Sequence, residues 1–382
     1  MSHVSTPPIS QIALRRLLLV GGVILLLLGL WGGLARIGWD VPAKNQTLIF
    51  THAGLLISGF VGTLITLERV VALGDRWALL APASTLLGAT LLLFGAPEDA
   101  AVAFVAAGAA GLTITFLLLM HRRGQSLELG IMTGGAVCWT IGSLLWLTGE
   151  STPALIPPWW MAFLVLTIAG ERLELIRFQS RRFSRVSLLA ALSLLLMGAI
   201  LTQGDFDAGS RLTGVGLAAV AAWLITFDRA RHALPKGGLP RYSATAMIGA
   251  SLWLGVAGIL WAIEGAVYFG LRYDAVIHAF FLGFTMSAIL AHGPIILPSV
   301  ASLRLRFSPA LYAPLALLHA SLILRLAADL APWHDTREWA GLLNAVALVG
   351  FFVVMAGLII VGRLRATPSP AIALPPSLSP TT

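Results

Sequence analysis

Long apolar segments follow one another along almost the whole of this 382-residue chain. A helix needs about 20 mostly apolar residues to cross the hydrocarbon core of a bilayer. Within lipid the backbone must satisfy its own hydrogen bonds, so such segments fold as helices. The sequence therefore predicts an all-α polytopic membrane protein with about 12 transmembrane helices. The predicted spans cover roughly residues 15–36, 47–69, 76–95, 98–120, 127–149, 154–176, 186–203, 210–228, 243–268, 275–298, 309–331 and 338–361.

The composition excludes several other classes of protein. The chain is 58% hydrophobic and 11% charged, whereas soluble domains are about 45–50% apolar and about 25% charged. An ordinary cytosolic enzyme, a disordered protein and a nucleic-acid-binding module are therefore excluded. The single cysteine, Cys138, lies within an apolar segment, which leaves no disulfide framework or cysteine-based metal cluster. We predict one transmembrane domain over residues 1–365 and a disordered, cytoplasmic Pro/Ser-rich tail over residues 366–382.

The basic residues predict how the chain is oriented. If the N-terminus is cytoplasmic, 19 of the 25 lysines and arginines lie at cytoplasmic ends and loops. The others are Arg36, Lys44, Arg211, Arg272 and Arg337 on the outer side, and Arg325 inside a span. This asymmetry follows the positive-inside rule. It predicts a multi-pass protein of the bacterial inner (plasma) membrane with both termini cytoplasmic, whose net charge of +8 faces membrane lipid and not nucleic acid.

Two histidines at matched depth are the first candidate ligands. His52 on the second span and His278 on the tenth both lie within about two turns of the outer end. Two neutral imidazoles on different helices ligate one iron from opposite faces, and haem is the usual cofactor for such a pair in a helix bundle. Small residues around both histidines leave space for a flat macrocycle. The alternative is that these small residues serve close helix packing and that each histidine hydrogen-bonds a neighbouring helix.

A third histidine within the spans, His292, lies 14 residues after His278. In a regular α-helix this spacing is about 1400°, close to four full turns, and about 21 Å along the axis. The two side chains would then face the same way, but one iron cannot use both. Three roles remain open for His292. It is the ligand of a deeper second site that would hold a second haem, a residue of a proton path, or a polar group satisfied by its hydrogen bonds.

The eleventh span carries His319 near mid-depth and Arg325 nearer the outer side. Both are counted as candidate cofactor-binding residues. A buried arginine needs an anion, and a haem propionate at the outer edge of the membrane would be a suitable bidentate partner. A plain ion pair of Arg325 with Glu264 or Asp329 is the alternative.

The segments His52-Ala-Gly-Leu-Leu and His278-Ala-Phe-Phe-Leu-Gly-Phe, set in twelve spans with an inner N-terminus, resemble subunit I of the haem–copper oxidases and nitric oxide reductases. They are also similar to the NnrS family of twelve-span haem proteins linked to nitric oxide metabolism. The resemblance implies three arcs of four helices with spans 2, 6 and 10 in equivalent positions. It also implies that His52 and His278 are the axial metal ligands of a haem b.

The resemblance does not extend to a copper site. The position two residues after His278 is Phe280, the sixth span offers Trp159 and Trp160, and the seventh has no histidine. A nitric oxide- or dioxygen-reducing binuclear centre is therefore not expected, and no enzymatic reaction is assigned. The resemblance implies electron transfer or a gas-related role in respiratory or nitric-oxide metabolism, with a redox partner protein. A proton-coupled secondary transporter working at the Gly293-Pro294 break and a membrane assembly factor remain alternatives.

Overall fold

The chain folds into a helical bundle in the computed structural model, which describes residues 9–42, 46–149, 153–176, 182–303 and 305–364. No strand occurs among these residues, and eleven of their helices are long and apolar enough to cross a membrane. The predicted all-α polytopic membrane fold is confirmed. The tail predicted over residues 366–382 lies outside the described residues. With one shorter helix included, the helices are α1 (Ser10–Ile37), α2 (Gln46–Leu73), α3 (Trp77–Leu93), α4 (Glu98–Arg123), α5 (Leu127–Thr148), α6 (Pro153–Ile176), α7 (Arg182–Leu201), α8 (Phe206–Lys236), α9 (Gly238–Glu264), α10 (Leu271–Val300), α11 (Pro309–Leu330) and α12 (His334–Gly362).

The shorter helix, α3, accounts for the third predicted span. Its length is about 26 Å at 1.5 Å per residue, near the lower limit for crossing a bilayer. It packs against both of its sequence neighbours, α2 and α4. Counting α3, the described residues contain a helix at each of the twelve predicted spans.

Three helices form the interior of the bundle. The most apolar windows of α2, α6 and α10 are 61%, 83% and 67% buried, whereas no other long helix exceeds 50%. These three helices recur at intervals of four along the chain. Sequence neighbours such as α4 and α5 pack side by side around them, and α1 packs against α12.

Glycines bring the backbones of α7, α8 and α9 into close contact. A Cβ atom added to Gly198 of α7 would stand 2.4 Å from the backbone nitrogen of Thr213 on α8. One added to Gly214 of α8 would stand 2.4 Å from the backbone nitrogen of Ala262 on α9. Both positions exclude any side chain, as small residues do at tightly packed membrane helices.

Two interior helices change their winding just after a histidine. In α2 a π-helix runs over Leu55–Gly62, three residues after His52. In α10 a π-helix runs over Ala279–Met286, directly after His278. The i→i+5 hydrogen bonds of a π-helix widen the turn, and such segments are rare and concentrate at functional sites. Residues that follow each π-helix therefore face a different direction from the one that a regular α-helix predicts.

Candidate functional site

A large cavity opens between α1, α2, α10, α11 and α12, with Trp160 of α6 on its wall. About 1010 Å³ of space free of protein atoms lies there, including the part open to the surroundings. His52 and His278 both line this space, and we call it the histidine cavity.

The two histidines reach the cavity from equivalent places on their helices. His52 is the seventh residue of α2, and His278 is the eighth residue of α10. Each therefore lies about two turns from the start of its helix. The structure brings together the two residues whose matched depths singled them out in the sequence.

Backbone contacts fix the tautomer of both imidazoles. Nδ1 of His52 lies 2.9 Å from the carbonyl oxygen of Ile49, and Nδ1 of His278 lies 2.8 Å from that of Asp274. A carbonyl oxygen only accepts, so Nδ1 donates in each contact and Nε2 keeps its lone pair. Among the described residues, neither Nε2 atom has a hydrogen-bond partner. Both rings therefore offer a free donor nitrogen with a fixed orientation, as metal-ligating histidines do.

A glycine on α1 leaves space beside the His52 ring. A Cβ atom added to Gly33 would meet only Cδ2 of His52, at 4.0 Å. Gly33 differs in this respect from the glycines between α7, α8 and α9, where neighbouring backbone fills the space. Phe281, Leu282 and Leu348 add apolar wall to the same cavity.

Asp274 and Arg325 line the cavity and belong to a network of charged side chains centred on Asp274. Oδ2 of Asp274 accepts hydrogen bonds from Nη2 of Arg325 and from Nη2 of Arg337, both at 2.8 Å. Nε of Arg337 donates to Oδ1 of Asp329 at 2.7 Å. Oδ1 of Asp274 lies 3.3 Å from Nδ1 of His278. One network therefore joins α10, α11 and α12 and reaches a candidate ligand.

The ion-pair partners predicted for Arg325 from the sequence did not include its main one, Asp274. Arg325 lines the histidine cavity, but its shortest ion pair is with Asp274, and Asp329 is 4.0 Å away. Glu264, the other weighed alternative, instead pairs with Arg272 at 2.7 Å. Asp274 was detectable as the residue four positions before His278, on the same helix face. Its pairing with Arg325 depends on the lateral packing of α10 against α11, which no local pattern encodes.

His319 does not reach the histidine cavity. Its Nδ1 accepts a hydrogen bond from Nε1 of Trp253 at 2.8 Å. Its ring lies against Gly249, where an added Cβ atom would stand 2.8 Å from Cε1 and Nε2. The structure places His319 between α9 and α11, hydrogen-bonded to Trp253.

His292 lies at a different cavity from His278. The regular-helix geometry placed both on one face, and the π-helix between them changes that relation. Nε2 of His292 accepts a hydrogen bond from Arg172 of α6, and Nδ1 donates to the carbonyl oxygen of Ala288 at 2.8 Å. α10 continues through Pro294 to Val300. Nothing in this geometry brings His292 to the iron site proposed for His52 and His278.

The described part of the chain holds no group of three or more histidine, cysteine, aspartate or glutamate side chains placed to bind a metal ion. The histidine cavity offers a pair of nitrogen donors. Such a pair suits a metal whose other ligands come with its own macrocycle.

Comparison with known proteins places the chain in a family. No curated protein matches it. The model of the family described as Domain of unknown function (DUF8744) matches residues 15–360, which include almost all of the twelve helices. The chain therefore belongs to the DUF8744 family.

Proposed function

We propose that this protein is an integral membrane haem b protein of the bacterial inner membrane, with His52 and His278 as the axial ligands. The observation that carries the proposal is the free Nε2 atom of each imidazole at one shared cavity. Two axial histidines leave no open position on the iron, which favours electron transfer over gas binding. A membrane-bound or soluble redox protein would be the partner.

The chemistry of the walls supports a flat, largely apolar cofactor with an anionic edge. The space beside Gly33 and the apolar side chains of α10 and α12 suit the macrocycle. Arg36 lines the same cavity and has no ion pair among the described residues. Because Arg325 is already held by Asp274, Arg36 is the better partner for a propionate, with Arg325 adding positive charge nearby.

The burial of α2, α6 and α10 supports the resemblance to the oxidase subunit. These helices are the second, sixth and tenth of the chain. A fold of three arcs with four helices each would place them at equivalent positions. The proposed ligands lie on two of these helices, and Trp160 of the third lines the same cavity. The sixth and seventh helices lack the copper-site histidines, so the proposal includes a haem and no copper.

The absorption spectrum of the purified protein tests this proposal. The full-length chain is produced in cells supplied with haem precursor, extracted in detergent and reduced. We expect a Soret band and the split bands of a six-coordinate b-type haem, with about one haem per chain by pyridine haemochrome. A colourless protein from haem-replete cells would contradict the proposal.

A series of substitutions at Gly33 tests the position of the cofactor. Gly33→Ala is expected to keep haem, because the nearest atom is 4.0 Å from the new Cβ. Gly33→Leu and Gly33→Phe are expected to lose most of it, because their side chains fill the space beside His52. The measurement is the ratio of haem to protein in each variant. Gly357→Leu is the matched control, because an added Cβ at Gly357 meets nothing within 4 Å; equal haem loss in this control would argue against a specific steric effect.

A further inference from the structure

A second cavity lies among the interior helices α2, α6 and α10. About 530 Å³ of space free of protein atoms lies there, including the part open to the surroundings. Its polar lining consists of Glu68, Thr167, Glu171, Thr285 and His292, and we call it the carboxylate cavity. Glu68 follows His52 by 16 residues, about 24 Å along α2. The carboxylate cavity is therefore remote from the proposed ligands, at the end of the bundle that the charge pattern predicts to be cytoplasmic.

Each of the two carboxylates in this cavity accepts a hydrogen bond through one of its oxygens. Arg69 Nη2 donates to Oε1 of Glu68 at 3.1 Å and also to Oε1 of Glu171. Among the described residues, the Oε2 atom of either glutamate has no partner. Both glutamates line the cavity, and their side chains remain 25% and 19% exposed.

An unpaired hydroxyl points independently to a ligand. Thr285 is 1% exposed, and its hydroxyl has no hydrogen-bond partner among the described residues. Thr167, across the cavity, donates to the carbonyl oxygen four residues earlier, Phe163, at 2.8 Å. Thr285 lies on the π-helix of α10, where the i→i+5 winding displaces the equivalent carbonyl. Thr285 lines the cavity, and a buried hydroxyl without a partner can pair with a ligand bound there.

The charge around the cavity favours a cation. Among the described residues, the charged and titratable groups that line it or interact with its arginines are Glu68 and Arg69 on α2, Glu171, Arg172 and Glu174 on α6, Asp228 on α8 and His292 on α10. His292 accepts from Arg172 through Nε2 and donates through Nδ1, which makes its ring neutral. Four carboxylates therefore face two guanidinium groups. The two carboxylates that line the cavity share the single guanidinium of Arg69, leaving one net negative charge between them.

We propose that the carboxylate cavity binds a monovalent cation through Oε2 of Glu68, Oε2 of Glu171 and the hydroxyl of Thr285. Carboxylate and hydroxyl oxygens are ligands for hard cations, and one net negative charge matches a single positive charge. Na⁺, K⁺ and a proton share this chemistry. This site goes beyond the proposed haem function and does not depend on it.

The melting temperature of the detergent-purified full chain tests the proposal. NaCl or KCl is titrated against N-methyl-D-glucamine chloride at constant ionic strength, at several pH values, because a ligand that binds the folded state raises the melting temperature. A saturable rise with Na⁺ or K⁺ identifies a metal cation. Absence of that rise, with a pH dependence of melting that Glu171→Gln removes, identifies a proton.

Three variants and one control decide the outcome. Glu68→Gln, Glu171→Gln and Thr285→Val are each expected to weaken cation binding by about tenfold or more, since each removes one direct contact to a charge. Thr285→Val keeps the side-chain shape and so preserves folding. Glu264→Gln is the control, because that carboxylate is paired with Arg272 outside this cavity. Melting with the same dependence on Na⁺, K⁺ and pH in wild type and all three variants would overturn the proposal, whatever the haem content.

Discussion

Replacement of His52 or His278 by alanine is expected to abolish the six-coordinate b-type spectrum of the purified protein. In the proposed site each imidazole would supply one axial donor, and each ring is oriented by its own backbone hydrogen bond. Loss of either donor leaves an open iron position, so the remaining haem becomes high-spin and its occupancy falls. The measurement is the reduced-minus-oxidised spectrum, normalised to protein. Added imidazole should restore part of the low-spin spectrum because it replaces the missing ligand.

A matched histidine separates ligation from general damage to the bundle. His319→Gln removes an intramembrane imidazole outside the histidine cavity and keeps an acceptor for Trp253 Nε1, its partner at 2.8 Å. This variant should retain the full spectrum. If the His52→Ala and His278→Ala proteins kept low-spin haem at full occupancy, the assigned ligands would be wrong.

Of the substitutions considered, Asp274→Ala should lower the free energy of unfolding the most. Its carboxylate accepts from Arg325 and Arg337 at 2.8 Å each, and the Arg325 side chain is only 6% exposed. Removal of one partner of a buried ion pair leaves an uncompensated charge, which costs about 3–5 kcal/mol. The measurement is the free energy of unfolding in mixed detergent–SDS micelles.

A control variant and a second readout make the Asp274 prediction specific. Asp75→Ala removes the partner of the exposed Arg122 and should change stability little, since ion pairs at the surface contribute little. The His278 tautomer should survive in Asp274→Ala, because Nδ1 donates to the Asp274 backbone carbonyl, which the substitution retains. A stability loss no greater than that of Asp75→Ala would show that the network is not the structural centre of this end of the bundle.

The sequence predicts those features that depend on hydropathy and depth along single helices. Each predicted span corresponds to a helix, and the matched depths of His52 and His278 anticipate that both reach one cavity. Depth is readable because a membrane helix has a fixed rise per residue and a hydrocarbon core of fixed thickness.

Features that depend on lateral packing or on altered winding were not predictable in this way. The network of Asp274, Arg325 and Arg337 joins three helices. Arg337 was predicted to lie on the outer side, just before the span 338–361, whereas α12 begins at His334. The face of His292 was predicted for a regular helix, and a π-helix separates it from His278. The free hydroxyl of Thr285 arises from the same segment. Apolar patterning does not distinguish π- from α-winding, because both are equally apolar.

A cryo-electron microscopy map of the protein purified from haem-replete cells would show whether His52 and His278 hold a haem between them. We expect a planar density between α2 and α10, with its centre bonded to Nε2 of His52 on one face and to Nε2 of His278 on the other. Lipid or water in that space, or imidazole rings turned away from each other in protein from those cells, would contradict it.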